Sequence, residues 1–330
     1  MSNTTAVFGR AWELAVNTDT DQLLVSSDAW DPEALRITFE IFQPGYTAYW
    51  FADIAIYNLS AGDAQKVFKQ GDTVILRAGY RGSQNYGVVW EGKLFQPLWE
   101  RVNVTDYKLT LHCIIGLEEY TENLVNFVHS AYASQADLVT RMMSSAQTPI
   151  RADSIDMETL SQKKLPRGKV IFGSPGKYFA QIAADNKMDT WVGPNGMNMG
   201  LPEPNSWSTP DLVYGPQYPP GATQQQTDAE VTRTLVGTPQ QTSEGVMFRV
   251  LLDARLKVQR PPLMVKLDQT VIRQMPLAVG QQYVNPLDQD GYYIVSSVRH
   301  IGDNRGTPWY TEVCGYTQKW AQGLLSGLYR

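Results

Sequence analysis

Alternating apolar and polar positions in the first third of the chain predict β-strands. Segment 35–42 shows the pattern clearly, because its apolar residues fall on one face and polar residues separate them. The apolar face consists of Leu35, Ile37, Phe39 and Ile41. A period of two over this length is typical of a strand with one buried face. Further strands are predicted at 53–58, 73–78, 87–95 and 107–113. Residues 1–117 are therefore expected to form an antiparallel barrel or sandwich.

The spacing of the apolar residues then becomes helical, and residues 118–201 are expected to form a small α+β domain. Two helix starts are recognisable, because serine is a preferred N-cap and proline fits the first helical position. A hairpin turn is also predicted, since Asn-Gly favours the turn that joins two strands. The helix starts are Ser134 with Asp137 and Ser174 with Pro175, and the turn is Asn195-Gly196.

Residues 202–230 are rich in proline and glutamine and predict a linker or an extended surface arm. Strand patterns resume in residues 231–317. Three strands of this region resemble three strands of the first region in order and spacing, and the last strand of each set ends in cysteine, at Cys113 and Cys314, with glycine shortly after. The pattern alone leaves a structural duplication and a chance similarity equally open.

Aromatic residues cluster directly after Pro44-Gly45, at Tyr46, Tyr49, Trp50 and Phe51. Three interpretations stay open from the residues themselves. The cluster could bind carbohydrate, it could form a subunit interface with large rigid contact area, or it could be a hairpin that packs on its own core.

The C-terminal segment 318–330 is apolar but is not expected to be stable as an isolated helix. Trp320, Leu324 and Leu328 recur at a four-residue step, while two glycines between them weaken the helix. We therefore expect this segment to dock on another surface, either in the same chain or in a neighbouring one.

Composition and motif content argue against nucleic-acid binding, catalysis and metal or cofactor binding. The net charge is −5 over 330 residues, so stable nucleic-acid binding through phosphates is disfavoured. Only three histidines are present, and the patterns of zinc proteases, phosphate loops and nucleophile elbows are missing. We expect no catalytic residues, no metal and no cofactor. No apolar run is long enough to span a membrane as a helix, the N-terminus does not have the form of a signal peptide, and the two cysteines are expected to stay unpaired.

Several segments, in the right order along most of the chain, resemble the baseplate hub proteins of contractile-tailed bacteriophages (the late control protein D, or tail-tube-like hub, family), which are related to the hub part of type VI secretion spikes. Segments 202–230 and 268–287 match this family less well. The segments that carry the resemblance are Phe51–Leu59, Lys69–Val74, Trp90–Gly92, Gly168–Gly173, Leu235–Asp253 and Asp290–Glu312.

The resemblance implies a mainly β fold with two tail-tube-like antiparallel β-barrel domains, at 1–117 and 231–317, and the small α+β domain between them. It implies a homotrimer in which six similar barrels form a ring that adapts the six-fold tail tube to the three-fold spike. Under this interpretation, the aromatic cluster (Tyr46, Tyr49, Trp50 and Phe51) and the tail (Trp320, Leu324 and Leu328) are expected to contact neighbouring subunits or partners.

The implied partners are the tail tube protein, the central spike protein, baseplate wedge or adaptor proteins and the tape-measure protein, with DNA only passing through the lumen. The implied location is the tail baseplate of the virion, after assembly in the host cytoplasm. The alternative is a cell-wall-degrading or carbohydrate-binding tail component. Residues 118–201 are short for such a domain and lack a convincing acid/base pair.

Overall fold

A computed structural model of the chain describes residues 9–17, 22–28, 31–45, 49–66, 72–117, 122–201, 203–215, 231–232, 234–274, 287 and 290–321. The fold is mainly β with few helices, as predicted. None of the helices in this part of the chain has the length and hydropathy needed to span a bilayer.

The described residues of the first half form seven strands, which pair antiparallel in the order β2-β1-β5-β6-β7-β4-β3. They form because one face of each strand is apolar and buried in a common core. A short helix, α1 (Ala61–Gln65), links the fourth strand to the fifth. The strands are β1 (Arg10–Asn17), β2 (Gln22–Ser27), β3 (Ile37–Pro44), β4 (Trp50–Tyr57), β5 (Thr73–Tyr80), β6 (Gly87–Arg101) and β7 (Tyr107–Ile115).

An α+β insert follows, and it contains both predicted helix starts. Ser134 and Asp137 form a capping box: the Asp137 N–H donates to the Ser134 hydroxyl at 3.0 Å, and the Ser134 N–H donates to the Asp137 carboxylate at 3.1 Å. The predicted Asn195-Gly196 turn joins the last two strands. The elements are β8 (Val125–His129), α2 (Gln135–Ser145), β9 (Ala152–Ile155), α3 (Met157–Gln162), β10 (Lys169–Gly173), α4 (Pro175–Asn186), β11 (Asp189–Gly193) and β12 (Gly196–Gly200).

Strands β8 and β10 pair antiparallel in a sheet of their own, and β11, β12 and β9 form a second small sheet. The second half of the chain then adds seven strands in the order β14-β13-β17-β18-β19-β16-β15. These are β13 (Leu212–Tyr214), β14 (Val231–Thr232), β15 (Gln240–Gln241), β16 (Gly245–Leu251), β17 (Met264–Leu267), β18 (Tyr292–Asp303) and β19 (Trp309–Thr317).

The two halves share one fourteen-stranded sheet, and the prediction of two separate tail-tube-like barrels is not confirmed. The join is made by β18, whose first part pairs with β17 and whose last part, Ser297–Asp303, pairs with Pro44–Thr38 of β3. β18 has twelve residues, so it is long enough to pair with β17 along its first part and with β3 along its last part, on the same edge. No pairing among the described strands closes either half into a barrel.

The two similar sets of three strands noted in the sequence have the same connectivity in the structure. β5-β6-β7 and β17-β18-β19 are both antiparallel meanders, and the middle strand of each carries a bulge towards the third strand. The bulges lie between Leu94 and Gln96 and between Val295 and Ser297. When the bulges are aligned, Gln96 corresponds to Ser297, and Cys314 therefore occupies the position equivalent to that of His112. Cys113 points into the core while Cys314 lies on the outer face, so the two free cysteines are not equivalent.

Aromatic packing fills the core at the join. The rings of Phe39 in β3 and Trp309 in β19 meet edge to face with centroids 5.3 Å apart. The Trp309 indole N–H donates to the Gly79 carbonyl of β5 at 3.2 Å, so its polar atom is satisfied within the core. Gly302 pairs with Phe39 across β3 and β18, and a Cβ at this glycine would lie 2.2 Å from the Phe39 ring. Because Gly302 has no side chain, the Phe39 ring can pack directly on β18 at this position.

Candidate assembly site

The predicted aromatic cluster divides between the interior and the surface. Trp50 is 4% exposed, and its indole N–H donates to the Pro44 carbonyl at 3.2 Å, so it belongs to the core of this chain. Phe51 is 47% exposed on the opposite face, and the half-buried Tyr49 ring lies 6.3 Å from it between centroids. Tyr46 lies outside the described residues. The interface role stays a prediction, and Phe51 is the side chain that a neighbour could reach.

The first residues of the C-terminal segment, 318–321, pack against the rest of this chain. Residues 318–321 are helical, the Trp320 N–H donates to the Thr317 hydroxyl at 3.1 Å, and Ala321 is fully buried. Gln318 donates to the Trp207 carbonyl at 2.8 Å. Leu324 and Leu328 lie outside the described residues, so their predicted contacts stay a prediction.

A buried polar network connects the halves near the loop after β16. Asp253 is fully buried, and its carboxylate accepts from the Tyr214 hydroxyl at 2.8 Å and from Arg255 Nη2 at 2.7 Å. Arg255 in turn donates to Asn85 Oδ1 at 3.0 Å, which lies in the β5–β6 turn of the first half. The Ala254 N–H donates to the Asn85 carbonyl at 3.0 Å. The network therefore fixes the second half to the first.

The same network extends to a buried histidine in β18. The Thr311 hydroxyl accepts from the Asp253 N–H at 3.1 Å and lies 2.9 Å from His300 Nδ1. The His300 ring also forms a hydrogen bond with the Leu256 backbone. The imidazole is fully enclosed, and burial lowers the pKa of His300 to about 4 despite the nearby Asp253 carboxylate.

The turn between β18 and β19 clamps the other end of the join. Arg36 pairs with the Asp303 carboxylate at 2.7 Å, and Arg10 donates to the Asp303 and Thr307 carbonyls at 2.6 and 3.0 Å. Asn304 Oδ1 accepts from the Ile37 N–H at 2.9 Å. Burial alone would raise the pKa of Asp303, but the hydrogen bonds from Arg36 and from the turn backbone lower it. The turn thus fixes the start of β3.

Polar contacts form a ladder on the outer face of the sheet across six strands. Its ion pairs are Arg299–Glu40 at 2.7 Å, Arg299–Glu312 at 3.3 Å and Arg249–Glu312 at 2.5 Å, and His112 Nδ1 lies 2.6 Å from the Asp53 carboxylate in the same ladder. Asp53 and Glu40 lie directly opposite each other in register. Exposed pairs contribute about 0–1 kcal/mol each, so the ladder gives the face its charge pattern more than its stability.

A buried arginine attaches the insert to the second half. Arg260 lies 4.9 Å from the Trp191 ring centre and 3.5 Å from the Asp189 carboxylate. Burial lowers the pKa of Arg260 to about 10, although both Asp189 and Asp156 oppose this effect. A guanidinium on an indole face is a favourable cation–π contact. The insert is therefore held by specific contacts and not only by its two chain connections.

A polar cavity of about 480 Å³ lies between β6 and the insert, with Glu91, Lys93, Glu122 and Arg151 among its lining residues. In the part of the chain that the structure describes, no three His, Cys, Asp or Glu side chains are grouped to hold a metal ion.

Sequence reasoning did not identify the buried network, the ladder or an apolar face on the insert. Asp253 follows a strand and resembles an ordinary turn residue, and its partners are distant in sequence. The signal for Trp50 was weak. Residues 50, 52, 54 and 56 are all apolar and share the inward face of β4, but Asp53 is the one charged residue among the positions between them.

Comparison with known proteins gives structural matches only, because neither a protein-family model nor a curated protein sequence matches the chain. The fold is similar to that of the 43 kDa tail protein of prophage MuSo2 from Shewanella oneidensis, with a TM-score of 0.54 and 9% identity over 94% of this chain and 99% of that one. It is also similar to a tail protein from Neisseria meningitidis MC58, with a TM-score of 0.50 and 11% identity over 96% and 99% of the two chains.

A third similar structure is the E. coli c3393 protein, a component of the type VI secretion system described as similar to the T4 bacteriophage tail proteins gp27 and gp5. Its TM-score is 0.49, with 7% identity over 92% of this chain and 76% of that one. The two tail proteins confirm, at the level of the fold, the resemblance predicted from the sequence. The descriptions of the two tail proteins name no enzymatic activity.

Proposed function

We propose that the chain is a structural hub protein in the baseplate of a contractile phage tail. The observation that carries this proposal is the similarity of fold to two tail proteins, one of them from a prophage, over nearly the whole length of each chain. The segments quoted from the sequence extend that similarity from a general tail protein to a hub. The proposed location is the virion tail, after assembly in the host cytoplasm.

The proposed assembly is a homotrimer. The described residues of each chain form two units of seven strands, and a bulged meander occurs in each unit. Three chains would thus supply six similar units, which would match a six-fold tail tube on one side and a three-fold spike on the other. A closed cyclic ring also leaves no free interface for sideways growth.

The proposed mechanism is mechanical. The ring would nucleate the tail tube, hold the central spike, contact wedge or adaptor proteins, and line the conduit for the tape-measure protein and DNA. A net charge of −5 supports this role, because a strongly basic conduit would retain DNA by its phosphates. No observation on the described residues favours the alternative of a cell-wall-degrading or carbohydrate-binding component, and we do not propose it.

Sedimentation equilibrium over a concentration series tests the assembly. We expect a species of three times the chain mass, and negative-stain images with six similar lobes. Phe51→Ser should weaken the trimer by at least about 2 kcal/mol, because an exposed aromatic side chain at an interface is a typical hot spot. Trp50 is unsuitable for this test, since its truncation would also damage the core.

The matched control is Val104→Ser, which removes another exposed apolar side chain at the tip between β6 and β7. We expect this variant to associate like the wild type. A strict monomer at high concentration, with the tail tube protein added, would contradict the ring. A trimer that Phe51→Ser leaves unchanged would remove Phe51 from the interface.

A further inference from the structure

One face of the small β8–β10 sheet is apolar and bare. Val128 and Val170 lie directly opposite each other in register, and Phe172 follows two residues later on the same face. Their exposed fractions are 64%, 67% and 74%. The opposite face, with Phe127 and Ile171, is buried. Single exposed apolar residues are ordinary, whereas a contiguous group indicates an interaction surface. We call Val128, Val170 and Phe172 the insert face.

The edges of this sheet are partly occupied, so a partner has better access to the face than to the edges. Arg141 Nη1 donates to the Val128 carbonyl of β8 at 2.9 Å. On the other edge, the Tyr178 hydroxyl donates to the Phe172 carbonyl and accepts from the Phe172 N–H, both at 3.1 Å. An added strand would need these backbone groups. A ligand of the insert face therefore packs on side chains.

A basic segment leads into β10 and includes its first residue. Four of the seven residues in 163–169 are Lys or Arg, and we call this segment the basic arm. Lys163, Lys164 and Arg167 are exposed, and no described carboxylate lies within 4.0 Å of their charged groups. The Tyr132 N–H donates to the Leu165 carbonyl at 2.8 Å, which holds a 76% exposed tyrosine beside the arm.

We propose that the insert face and the basic arm together bind an acidic amphipathic segment of another protein. Its apolar side chains would pack on the insert face, and its carboxylates would pair with the basic arm. Tyr132 would cover one end of the contact. The proposal does not depend on the trimer, because every residue that it uses belongs to one insert.

Charge favours a short acidic protein segment over an extended polyanion. The chain carries −5 overall, so its net charge outside the basic arm is −9. An anionic bilayer or a nucleic acid presents negative charge over a wide area, so the negatively charged rest of the chain would repel it. A short segment would engage only the local positive charge, which screening confines to about 8–10 Å at ordinary salt.

Fluorescence anisotropy with the full-length chain tests the proposal. The probe is a labelled amphipathic peptide with Leu and Phe on one helical face and Glu on the other, and the comparison peptide has Lys at every Glu position. We expect saturable binding of the acidic peptide and at least about tenfold weaker binding of the basic one. Raising the salt from about 0.1 M to about 0.5 M should weaken the acidic complex.

Two variants separate the two parts of the surface. Phe172→Ser removes the most exposed residue of the insert face, and Lys164→Glu with Arg167→Glu reverses the arm without touching the sheet. Each should weaken binding at least about fivefold. Val104→Ser and Lys257→Glu are matched controls at exposed positions elsewhere and should bind like the wild type. Thermal melts monitored by circular dichroism confirm that all variants fold.

Four results would overturn the proposal. They are no saturable binding of the acidic peptide, equal binding by the wild type and both surface variants, association with vesicles of one-third phosphatidylglycerol in place of the peptide, and self-association that Phe172→Ser abolishes. The last two would assign the surface to a membrane or to a second copy of this chain.

Discussion

Replacing Asp253 by alanine is expected to lower the free energy of unfolding by about 3–5 kcal/mol, because the change removes one partner of a buried ion pair. The carboxylate is fully buried and accepts hydrogen bonds from the Tyr214 hydroxyl, the Arg255 guanidinium and the Arg255 backbone N–H. In the variant, the Tyr214 hydroxyl and part of the Arg255 guanidinium would remain in the interior without that acceptor. Urea denaturation followed by tryptophan fluorescence measures the loss.

The position of Asp253 makes this loss a test of the join between the halves. Arg255 connects the carboxylate to Asn85, and Ala254 bonds the Asn85 backbone. We therefore expect Asn85→Ala and Asp253→Ala to be non-additive in a double-mutant cycle, since both act on one network. Simple addition of the two effects would show that the network does not connect the halves energetically.

Glu40→Ala is the matched control for this experiment. Glu40 pairs with Arg299 at 2.7 Å, but its side chain is 54% exposed on the outer ladder. Its removal should cost about 1 kcal/mol or less. Similar losses for Glu40→Ala and Asp253→Ala would contradict the importance that we assign to burial.

Local features of this fold could be predicted from the sequence, because they depend on neighbouring residues. Alternation in segment 35–42 predicted β3, which the structure places at Ile37–Pro44. The Ser134 cap and the Asn195-Gly196 turn were predicted from residue types that satisfy local backbone geometry. These elements need no information about the rest of the chain.

The join could not be predicted, because it depends on strand pairing between distant segments. Period-two alternation states which face of β18 is buried, but it does not identify β3 as the partner of its last part. The same limit applies to the insert face. Val128 and Val170 are unremarkable as separate valines, and only their opposite positions in β8 and β10 make a patch.

Lowering the pH from about 6.5 to about 4 is expected to remove about 3 kcal/mol of stability through His300 alone. Burial lowers the pKa of His300 to about 4, below its ordinary value of 6.5, so the fold favours the neutral ring. Between these two values the unfolded chain binds a proton that the folded chain excludes. The stabilising contribution is therefore complete above pH 6.5 and is lost as the pH falls through 4.

Urea denaturation at a series of pH values measures this loss in the wild type and in His300→Gln. The glutamine variant should be less stable near pH 7, because its amide replaces the ring poorly beside Thr311, but its stability should fall less steeply towards pH 4. Carboxylates whose pKa is lowered in the fold, such as Asp303, act in both proteins, so the difference between the two curves reports His300. Ile301→Val, on the opposite face of the same strand, should give a curve parallel to the wild type. Parallel curves for the wild type and His300→Gln would mean that the enclosed imidazole is not the group that titrates, and that the acid sensitivity of the join arises from its carboxylates.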